Sequence, residues 1–422
     1  MHDSAAARGE PPPLAAHTDF RKLWWGWSIS AFGSLVTRTA LPWAAILTLG
    51  ARPLQLGLFA ALEAAPALAV GALAGVWVDR LRRRPLMIAA DLARAALLGS
   101  IPLAAVLGRL TMVHLYAVAF LSGALALLFD VAHAAFLPGL VRRTELVEAN
   151  GRLAASAAVA EVGAFGLAGW LVQWFSAPWA LLLDALSFVA SAGFLGVIRG
   201  PEPPPREPGA QAGLWREAAE GWRALRAMPV LRAALGAEVA FALSLGIGSS
   251  AYMLFVTRGL GLGTGALGLL FAFGGACSWL GARAAARAAR RFGIGRALVA
   301  GLVTSGIARF ATPLAHPPAG FAAALLGLQQ AGDGAASLYL VNLASLVQTR
   351  TPAELRGRVG AAMRVTATLA TMVGALAGGW VGERVGLRAA LALGAGTAVL
   401  GGLWLAGTTS GWARTAGDSD VA

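Results

Sequence analysis

The chain has 422 residues, of which 57% are hydrophobic and 13% are charged, and its mean hydropathy is +0.67. A soluble domain would carry about 25% charged residues, so this composition excludes a soluble enzyme and indicates a polytopic membrane protein. The net charge of +13 does not indicate a nucleic-acid partner, because the arginines cluster in loops between apolar segments.

Twelve apolar segments are long enough to cross a bilayer, which requires about 20 residues. The predicted spans lie at 23–49, 54–78, 86–108, 113–139, 153–175, 178–198, 231–257, 263–287, 296–315, 318–347, 359–382 and 387–408. The sequence therefore predicts an all-α membrane protein with two six-helix bundles, at 19–199 and 231–408. The linker at 200–230 contains a proline-rich stretch and then an amphipathic pattern, which indicates a helix lying on the cytoplasmic surface. Residues 1–18 and 409–422 are predicted to be disordered tails.

The density of arginine alternates between successive loops. The loops after spans two, four, six, eight and ten hold most of the arginines, whereas the intervening loops hold very few. By the positive-inside bias, the arginine-rich loops and both termini are predicted to be cytoplasmic. The single cysteine, Cys277, excludes an intrachain disulfide.

The two halves show weak internal similarity. Leu140-Val141 followed by Glu145-Leu146 after the fourth span is similar to Leu346-Val347 followed by Glu354-Leu355 after the tenth. The arginine-rich loop after the second span also has a partner after the eighth, at 287–296, and both matches lie six spans apart. Parallel repeats of this kind indicate a transporter built from two related bundles.

The loop at 75–84 gives the most specific family signal. Its glycine, its Asp-Arg pair and its following arginines resemble the signature loop of the major facilitator superfamily. Further local runs resemble the bacterial efflux branch that includes enterobactin and macrolide exporters. These runs are Phe20-Arg21-Lys22-Leu23-Trp24, Arg38-Thr39-Ala40-Leu41-Pro42, Asp91-Leu92-Ala93-Arg94, Leu137-Pro138-Gly139-Leu140-Val141, Leu183-Asp184-Ala185-Leu186-Ser187-Phe188 and Glu354-Leu355-Arg356-Gly357-Arg358-Val359.

This resemblance implies a multi-pass transporter of the inner (plasma) membrane and not an enzyme. It implies a small-molecule substrate, protons and the lipid bilayer as partners, a monomer, and neither a cofactor nor a metal. The resemblance also implies a cytoplasmic gate, in which Asp79 faces the positive N-terminal end of the eleventh helix. Arg80 or Arg83 would pair with Asp130, and Gly75 and Arg84 belong to the same motif. Such contacts would exist only while the two halves are closed on the cytoplasmic side; the alternative is a permanent structural ion pair.

Charged side chains within the spans indicate a polar pathway, because a charge at mid-bilayer depth costs roughly 2.5–3.5 kcal/mol. The candidates for substrate binding or proton coupling are Arg38, Glu63, Glu161, Gln329 and Asp333. Other intramembrane charges have simpler interpretations. Asp91 and Arg94 are spaced as a local i,i+3 pair. Asp184 suits a packing role, and Glu238, Arg309 and Arg364 lie near span ends, where side chains can reach the surface.

The sequence contains no G-x-x-x-x-G-K-[ST] loop, so transport driven by ATP within this chain is not expected. The favoured function is export of an apolar or amphipathic small molecule, such as a drug, macrolide or siderophore, by alternating access with proton antiport. One alternative is an importer or facilitator of a polar metabolite in the same superfamily. The other is a transport-inactive membrane protein that acts as a sensor or an assembly partner.

Overall fold

The computed structural model describes residues 14, 17–71, 77–78, 80–200 and 214–409, and this part of the chain is almost entirely helical without a β-strand. The first half contains α1 (Thr18–Trp43), α2 (Pro53–Ala69), α3 (Arg83–Val106), α4 (Met112–Leu140), α5 (Leu146–Phe175) and α6 (Ala177–Gly196). The second half contains α7 (Leu214–Ala227), α8 (Pro229–Leu254), α9 (Thr264–Phe292), α10 (Ile294–Arg309), α11 (Ala311–Leu314), α12 (Ala319–Arg350), α13 (Arg356–Arg384) and α14 (Leu387–Thr409).

The predicted all-α polytopic fold is confirmed, and the described residues of each predicted span are mainly helical. In the described part, eight helices are long and apolar enough to cross a membrane, or nine if the bent α5 counts as one span. Residues 72–76 of the second predicted span lie outside the described residues, so α2 counts only from Pro53 to Ala69. Polar side chains lower the hydropathy of α1, which carries Arg38, and of α12, which carries Gln329, Gln330 and Asp333.

The internal repeat is visible where the first helix of each half ends. α1 continues into a π-helical turn at Ala44–Thr48, and α8 continues into the same kind of turn at Phe255–Gly259. Each turn is followed two residues later by a glycine, Gly50 or Gly261, with φ of 66°. That left-handed backbone conformation favours glycine because a Cβ would clash with the neighbouring carbonyl. The two halves therefore share the same turn, a π-helical turn followed by a left-handed glycine, between their first and second spans.

The sequence similarity after the fourth helix of each half also corresponds to shared structure. A 3-10 turn precedes α5 at Arg143–Glu145, and another precedes α13 at Ala353–Leu355. In the first turn, the Arg142 side chain forms a hydrogen-bonded ion pair with Glu145. That hydrogen bond holds the pKa of the Glu145 carboxyl below its ordinary value. Both turns reverse the chain between one long helix and the next.

The buried core shows how the two halves meet. The end of the molecule that holds Thr18 and Thr409 is here named the terminal end, and the other is named the opposite end. At the opposite end, one continuous cluster joins residues of both halves, including Trp43, Phe59, Leu181, Leu254 and Leu267. At the terminal end, the described residues form two separate clusters. One lies within residues 14–198 and the other within residues 224–405. The halves are therefore packed together at the opposite end and separate at the terminal end.

Two glycine-lined seams make the close contact at the opposite end. In the seam between α2 and α13, Gly57 lies against Ala375 and Gly379, with no room for a Cβ atom. In the seam between α5 and α9, Gly169 lies equally close to Gly268. Gly57 and Gly268 are each the fifth residue of their helix, so the seams are related by the internal repeat. Small residues allow such backbones to approach closely.

Hydrogen bonds and an ion pair also join the two halves at the opposite end. The guanidinium of Arg258 donates to the carbonyl oxygens of Ile46 at 2.9 Å and Ala51 at 3.2 Å, across the two halves. Glu383 accepts from the backbone N–H of Leu54 at 3.2 Å and lies 3.6 Å from the guanidinium of Arg52. The opposite end is thus closed by both packing and hydrogen bonding.

The predicted amphipathic helix in the linker forms as α7. Residues 201–213 before it lie outside the described residues, as does most of each predicted tail, but Leu14 is buried and α1 begins at Thr18. Leu225 is fully buried against the second half. Glu220 forms an ion pair with Arg358 in the first turn of α13. The backbone of Arg358 also lies against Gly221, where a Cβ atom would collide with it. The helix is therefore fixed to α13 and belongs structurally to the second half.

Candidate functional site

A cavity lined by several polar side chains lies within the second half. It has a volume of about 250 Å³ and is lined by residues of α8, α9, α10, α11, α12 and α14. Its polar residues are Ser244, Ser249, Tyr252, Arg309, Thr312, Gln329, Gln330 and Asp333. Two residues that the sequence singled out, Gln329 and Asp333, therefore lie in one cavity.

An acid and a base face each other in this cavity. The guanidinium of Arg309 lies 3.9 Å from the carboxylate of Asp333, and both side chains are mostly buried. The expectation that Arg309 reaches the membrane surface is therefore wrong. Because the side chain points between helices toward α12, its charge is compensated by Asp333, which is the usual arrangement for a charge within a membrane.

Several polar atoms around the cavity have no protein partner. In the described part of the chain, these buried atoms are the Tyr252 hydroxyl, the Arg309 Nε, the Gln329 carbonyl oxygen and the Ser244 hydroxyl. Gln330, in contrast, donates to the carbonyl oxygen of Leu270 at 2.8 Å. Buried polar groups are nearly always hydrogen-bonded to protein, water or ligand. Donors and acceptors that converge without partners can therefore hold a small polar group.

The predicted residues of the first half lie elsewhere. Arg38 on α1 and Glu63 on α2 are both accessible, and their opposite charges attract each other. Glu161 on α5 is also accessible. Pro66 lies one turn after Glu63, and the regular part of α2 ends one turn later at Ala69. The structure thus places Arg38 and Glu63 in one half, and Gln329 with Asp333 in one cavity of the other half.

A second buried polar set lies between α1, α3 and α6, and sequence reasoning did not identify it as a unit. The guanidinium of Arg94 lies 3.8 Å from the ring centre of Phe188 and donates to the Ser34 hydroxyl at 3.0 Å. Asp184 accepts hydrogen bonds from Thr37 at 2.5 Å and Ser187 at 2.7 Å. Asp184 therefore has the packing role that its sequence position suggested, but within a charged network.

Asp91 does not form the local hydrogen-bonded pair with Arg94 that its spacing suggested. Its side chain is fully buried, and neither carboxylate oxygen has a hydrogen-bond partner among the described residues. The cause is the position of Arg94, whose guanidinium is held toward α1 and α6 by Ser34 and Phe188. The sequence signals for this arrangement were the charged residues within apolar spans and the two runs, at 91–94 and 183–188, that resemble the efflux branch.

The predicted gate is described only in part, because Gly75 and Asp79 lie outside the described residues. Arg84 donates from its Nε to the carbonyl oxygen of Leu195 at 2.8 Å and also binds the Gly196 carbonyl, at the C-terminal end of α6. A cation at a helix C-terminus is favourable because unpaired carbonyl groups collect there. Arg80 is exposed, and Arg83 is partly buried. Asp130 is exposed on α4, where Arg94 is the cation that acts on it. The gate itself stays a prediction.

A model of the major facilitator superfamily matches residues 23–359, which is most of the chain. The chain belongs to the major facilitator superfamily. It is therefore a membrane transporter by family and not an enzyme. No curated protein matches the sequence significantly.

Solved structures share this fold at low sequence identity. A bacterial homologue of the iron transporter ferroportin in an inward-facing state is 16% identical, with a TM-score of 0.76 over 94% of this chain and 100% of that one. The same homologue in an outward-facing state is also 16% identical, with a TM-score of 0.59 over 93% and 99% of the two chains. A variant of the nucleoside transporter NupG is 14% identical, with a TM-score of 0.77 over 92% and 99%. These likenesses support the fold alone.

Proposed function

We propose that this superfamily member is a secondary transporter that exports an apolar or amphipathic small molecule, such as a drug, macrolide or siderophore, by proton antiport. It would work as a monomer in the inner (plasma) membrane, with both termini in the cytoplasm. The observation that carries the proposal is the cavity of the second half, which Arg309, Asp333 and other polar side chains line, in a molecule whose halves are packed together at one end and separate at the other.

The orientation rests on the arginines. They concentrate in the loops at the terminal end, which the positive-inside bias assigns to the cytoplasm. With that orientation, the structure is closed toward the exterior and open toward the cytoplasm. The higher TM-score with the inward-facing ferroportin homologue than with its outward-facing form agrees with this assignment.

The size of the cavity supports an amphipathic substrate. Sites that bury a drug-sized ligand usually enclose about 300–1,000 Å³. The cavity of the second half, at about 250 Å³, can hold only part of such a molecule. Arg309, Asp333 and the unpartnered polar atoms would bind the polar end of the substrate, while its apolar part would lie against the walls between the halves.

Alternating access would couple this site to protons. A proton taken from outside would neutralise an intramembrane acid, for which Glu63, Glu161 and Asp333 are the candidates, and Arg38 would modulate Glu63 by its charge. Neutralising an acid changes which arrangement of charges is stable inside the membrane, and so shifts the population of the two conformations. The cytoplasmic gate of Gly75, Asp79, Arg80, Arg83, Arg84 and Asp130 would hold the outward-facing state.

Export can be tested in inverted membrane vesicles from a host lacking its own pumps. Vesicles containing the transporter are expected to accumulate members of a panel of amphipathic dyes, macrolides and siderophores. Collapsing the proton gradient with a protonophore should abolish this accumulation. Asp333→Asn should abolish it as well, whereas Glu354→Gln, which alters an exposed acid outside the cavity, should leave it intact. Accumulation that persists without a gradient would rule out proton antiport.

A second function is favoured by the unpartnered donors and acceptors of the cavity, which could bind a polar metabolite for import or facilitated diffusion. Right-side-out vesicles separate this function from export. Downhill entry of sugars, nucleosides or organic acids without export of any amphipathic compound would favour the importer. A folded protein that moves no solute in either assay would instead favour the transport-inactive sensor or assembly protein.

A further inference from the structure

The buried set of Asp91, Arg94 and Asp184 has an unbalanced charge. Two carboxylates face one guanidinium, so the set would carry a net negative charge if both acids were ionised. Asp91 is fully buried and Asp184 is 1% exposed, so water cannot compensate that charge. An uncompensated ionised carboxylate is strongly disfavoured in such surroundings, and the usual outcome is that the group becomes neutral. One of the two acids must therefore hold a proton.

The hydrogen bonds identify which acid that is. Asp184 accepts from the hydroxyls of both Thr37 and Ser187, which suits an ionised carboxylate. Both oxygens of Asp91 have no hydrogen-bond partner among the described residues. The Ser191 hydroxyl on α6 is close enough to act on Asp91, but it makes no hydrogen bond of normal geometry and is itself buried without a partner. Asp91 is therefore the acid that holds the proton and is neutral.

Three charged groups among the described residues act on Asp91. Arg94 lies on the same helix, Asp184 acts from α6 and Asp130 acts from α4. Asp130 is exposed, so an accessible acid adjoins the buried set. On α1, Ser34 and Thr37 bind the set and lie within one turn of the candidate site residue Arg38. A change of charge at Asp91 would therefore alter the contacts that α1, the helix that carries Arg38, makes with the set.

We propose that Asp91, with Arg94 and Asp184, is the proton-coupling site of this transporter, and that Asp91 carries the proton. The proposal rests on the proton antiport proposed above. It assigns the coupled proton to Asp91 on α3 in place of Glu63, Glu161 or Asp333. Protonation adds one proton from water to the Asp91 carboxylate and needs no other reactant. Loss of that proton would place a second negative charge beside Arg94, draw the guanidinium from Ser34 and Phe188, and weaken the contact between α1 and α6.

The coupling can be measured with spin labels at the terminal end. Val147→Cys on α5 and Phe292→Cys on α9, both at exposed positions, are introduced together with Cys277→Ala. Electron-electron resonance of the protein in lipid nanodiscs reports the distance between the halves over a series of pH values. The distance distribution is expected to change with pH in the otherwise unmodified protein, and Asp91→Asn should abolish that change. Glu354→Gln is the matched control and should preserve it.

Asp184→Asn provides a second and opposite test. It leaves Asp91 as the only buried acid beside Arg94, which favours the ionised form of Asp91. The midpoint of the conformational change should therefore move to lower pH. A midpoint that stays in place or moves to higher pH would contradict the proposed division of roles between the two acids.

The outcomes separate this proposal from the function on which it rests. If Glu63→Gln, Glu161→Gln or Asp333→Asn abolishes the pH response while Asp91→Asn retains it, antiport stands and the assignment to Asp91 fails. If sodium drives the change at constant pH, or if pH has no effect, both fail. Infrared spectroscopy of the unmodified protein gives a test without variants. A buried protonated carboxyl band is expected, and its absence would overturn the assignment even if Asp91→Asn did not fold.

Discussion

Gly33 leaves the space that the Asp184 carboxylate occupies between α1 and α6. A Cβ atom at this position would overlap the Asp184 carboxylate and the Ser187 hydroxyl. Thr37 on α1 donates to the Asp184 carboxylate, and Ser187 donates to it from within α6, so neither group can move aside without losing a partner. The absence of a side chain at Gly33 is therefore what allows Asp184 to approach Thr37.

Gly33→Ala is expected to lower the free energy of unfolding by about 1–3 kcal/mol, the usual cost of forcing extra volume into a packed site. Thermal unfolding of the purified protein in detergent would measure this loss. Gly99→Ala on α3 is the matched control, because a Cβ there meets no atom within 4 Å. Alanine is also the better helix former, by about 1 kcal/mol, so the control should be neutral or stabilising. Equal effects at the two positions would contradict the steric argument.

At the scale of the helices, the two glycine seams set how closely the halves meet at the opposite end. Gly57 on α2 faces the carbonyl of Ala375 on α13, and Gly169 on α5 faces the backbone of α9 at Thr264 and Gly268. In both seams the nearest atoms belong to the backbone, which cannot turn away as a flexible side chain can. The seams are therefore sensitive to the addition of one methyl group.

Gly57→Ala should separate α2 from α13 and raise the population of conformations that are open at the opposite end. Spin labels at Leu107→Cys and Leu314→Cys, exposed at that end in the two halves, should report a longer distance. Gly327→Ala on α12 should leave the distance unchanged, because nothing lies within 4 Å of its Cβ position. An unchanged distance in Gly57→Ala would show that the seam does not control closure.

For the whole molecule, the contacts made by Arg258 favour one of the two conformations. Arg258 binds two carbonyl groups that belong to the other half, so these bonds exist only while the opposite end is closed. Arg388 makes a similar bond, to the Ala315 carbonyl at 3.0 Å, but within its own half. The first interaction depends on the conformation of the whole transporter, and the second does not.

Arg258→Gln should therefore shift the equilibrium toward the state that is closed at the terminal end. Because the side chain is exposed, the contribution is about 1 kcal/mol, which corresponds to roughly a five-fold change in population. The distance between labels at Val147→Cys and Phe292→Cys would measure it. Arg388→Gln should leave the populations unchanged; a shift of the same size there would indicate a general loss of stability instead.

The sequence by itself determined the helices, the loops and the repeat. A spanning helix is a local property of about 20 residues, because apolar composition and length suffice to make it favourable in a bilayer. The predicted spans therefore coincide with helices, including α12, which Gln329 and Asp333 make too polar for a strict hydropathy test. The repeat was also readable: Gly50 and Gly57 have the same spacing as Gly261 and Gly268, although only the structure gives this spacing its meaning.

Only the tertiary structure decided which polar residues meet and which end is closed. Arg94 binds Ser34, which is 60 residues away, and Asp184 binds Thr37, which is 147 residues away. Arg309 faces Asp333 and not the membrane surface. Such contacts depend on the rotation of each helix about its axis and on the position of one half relative to the other. Local composition does not specify either quantity, because both follow from packing between helices that are distant in the chain.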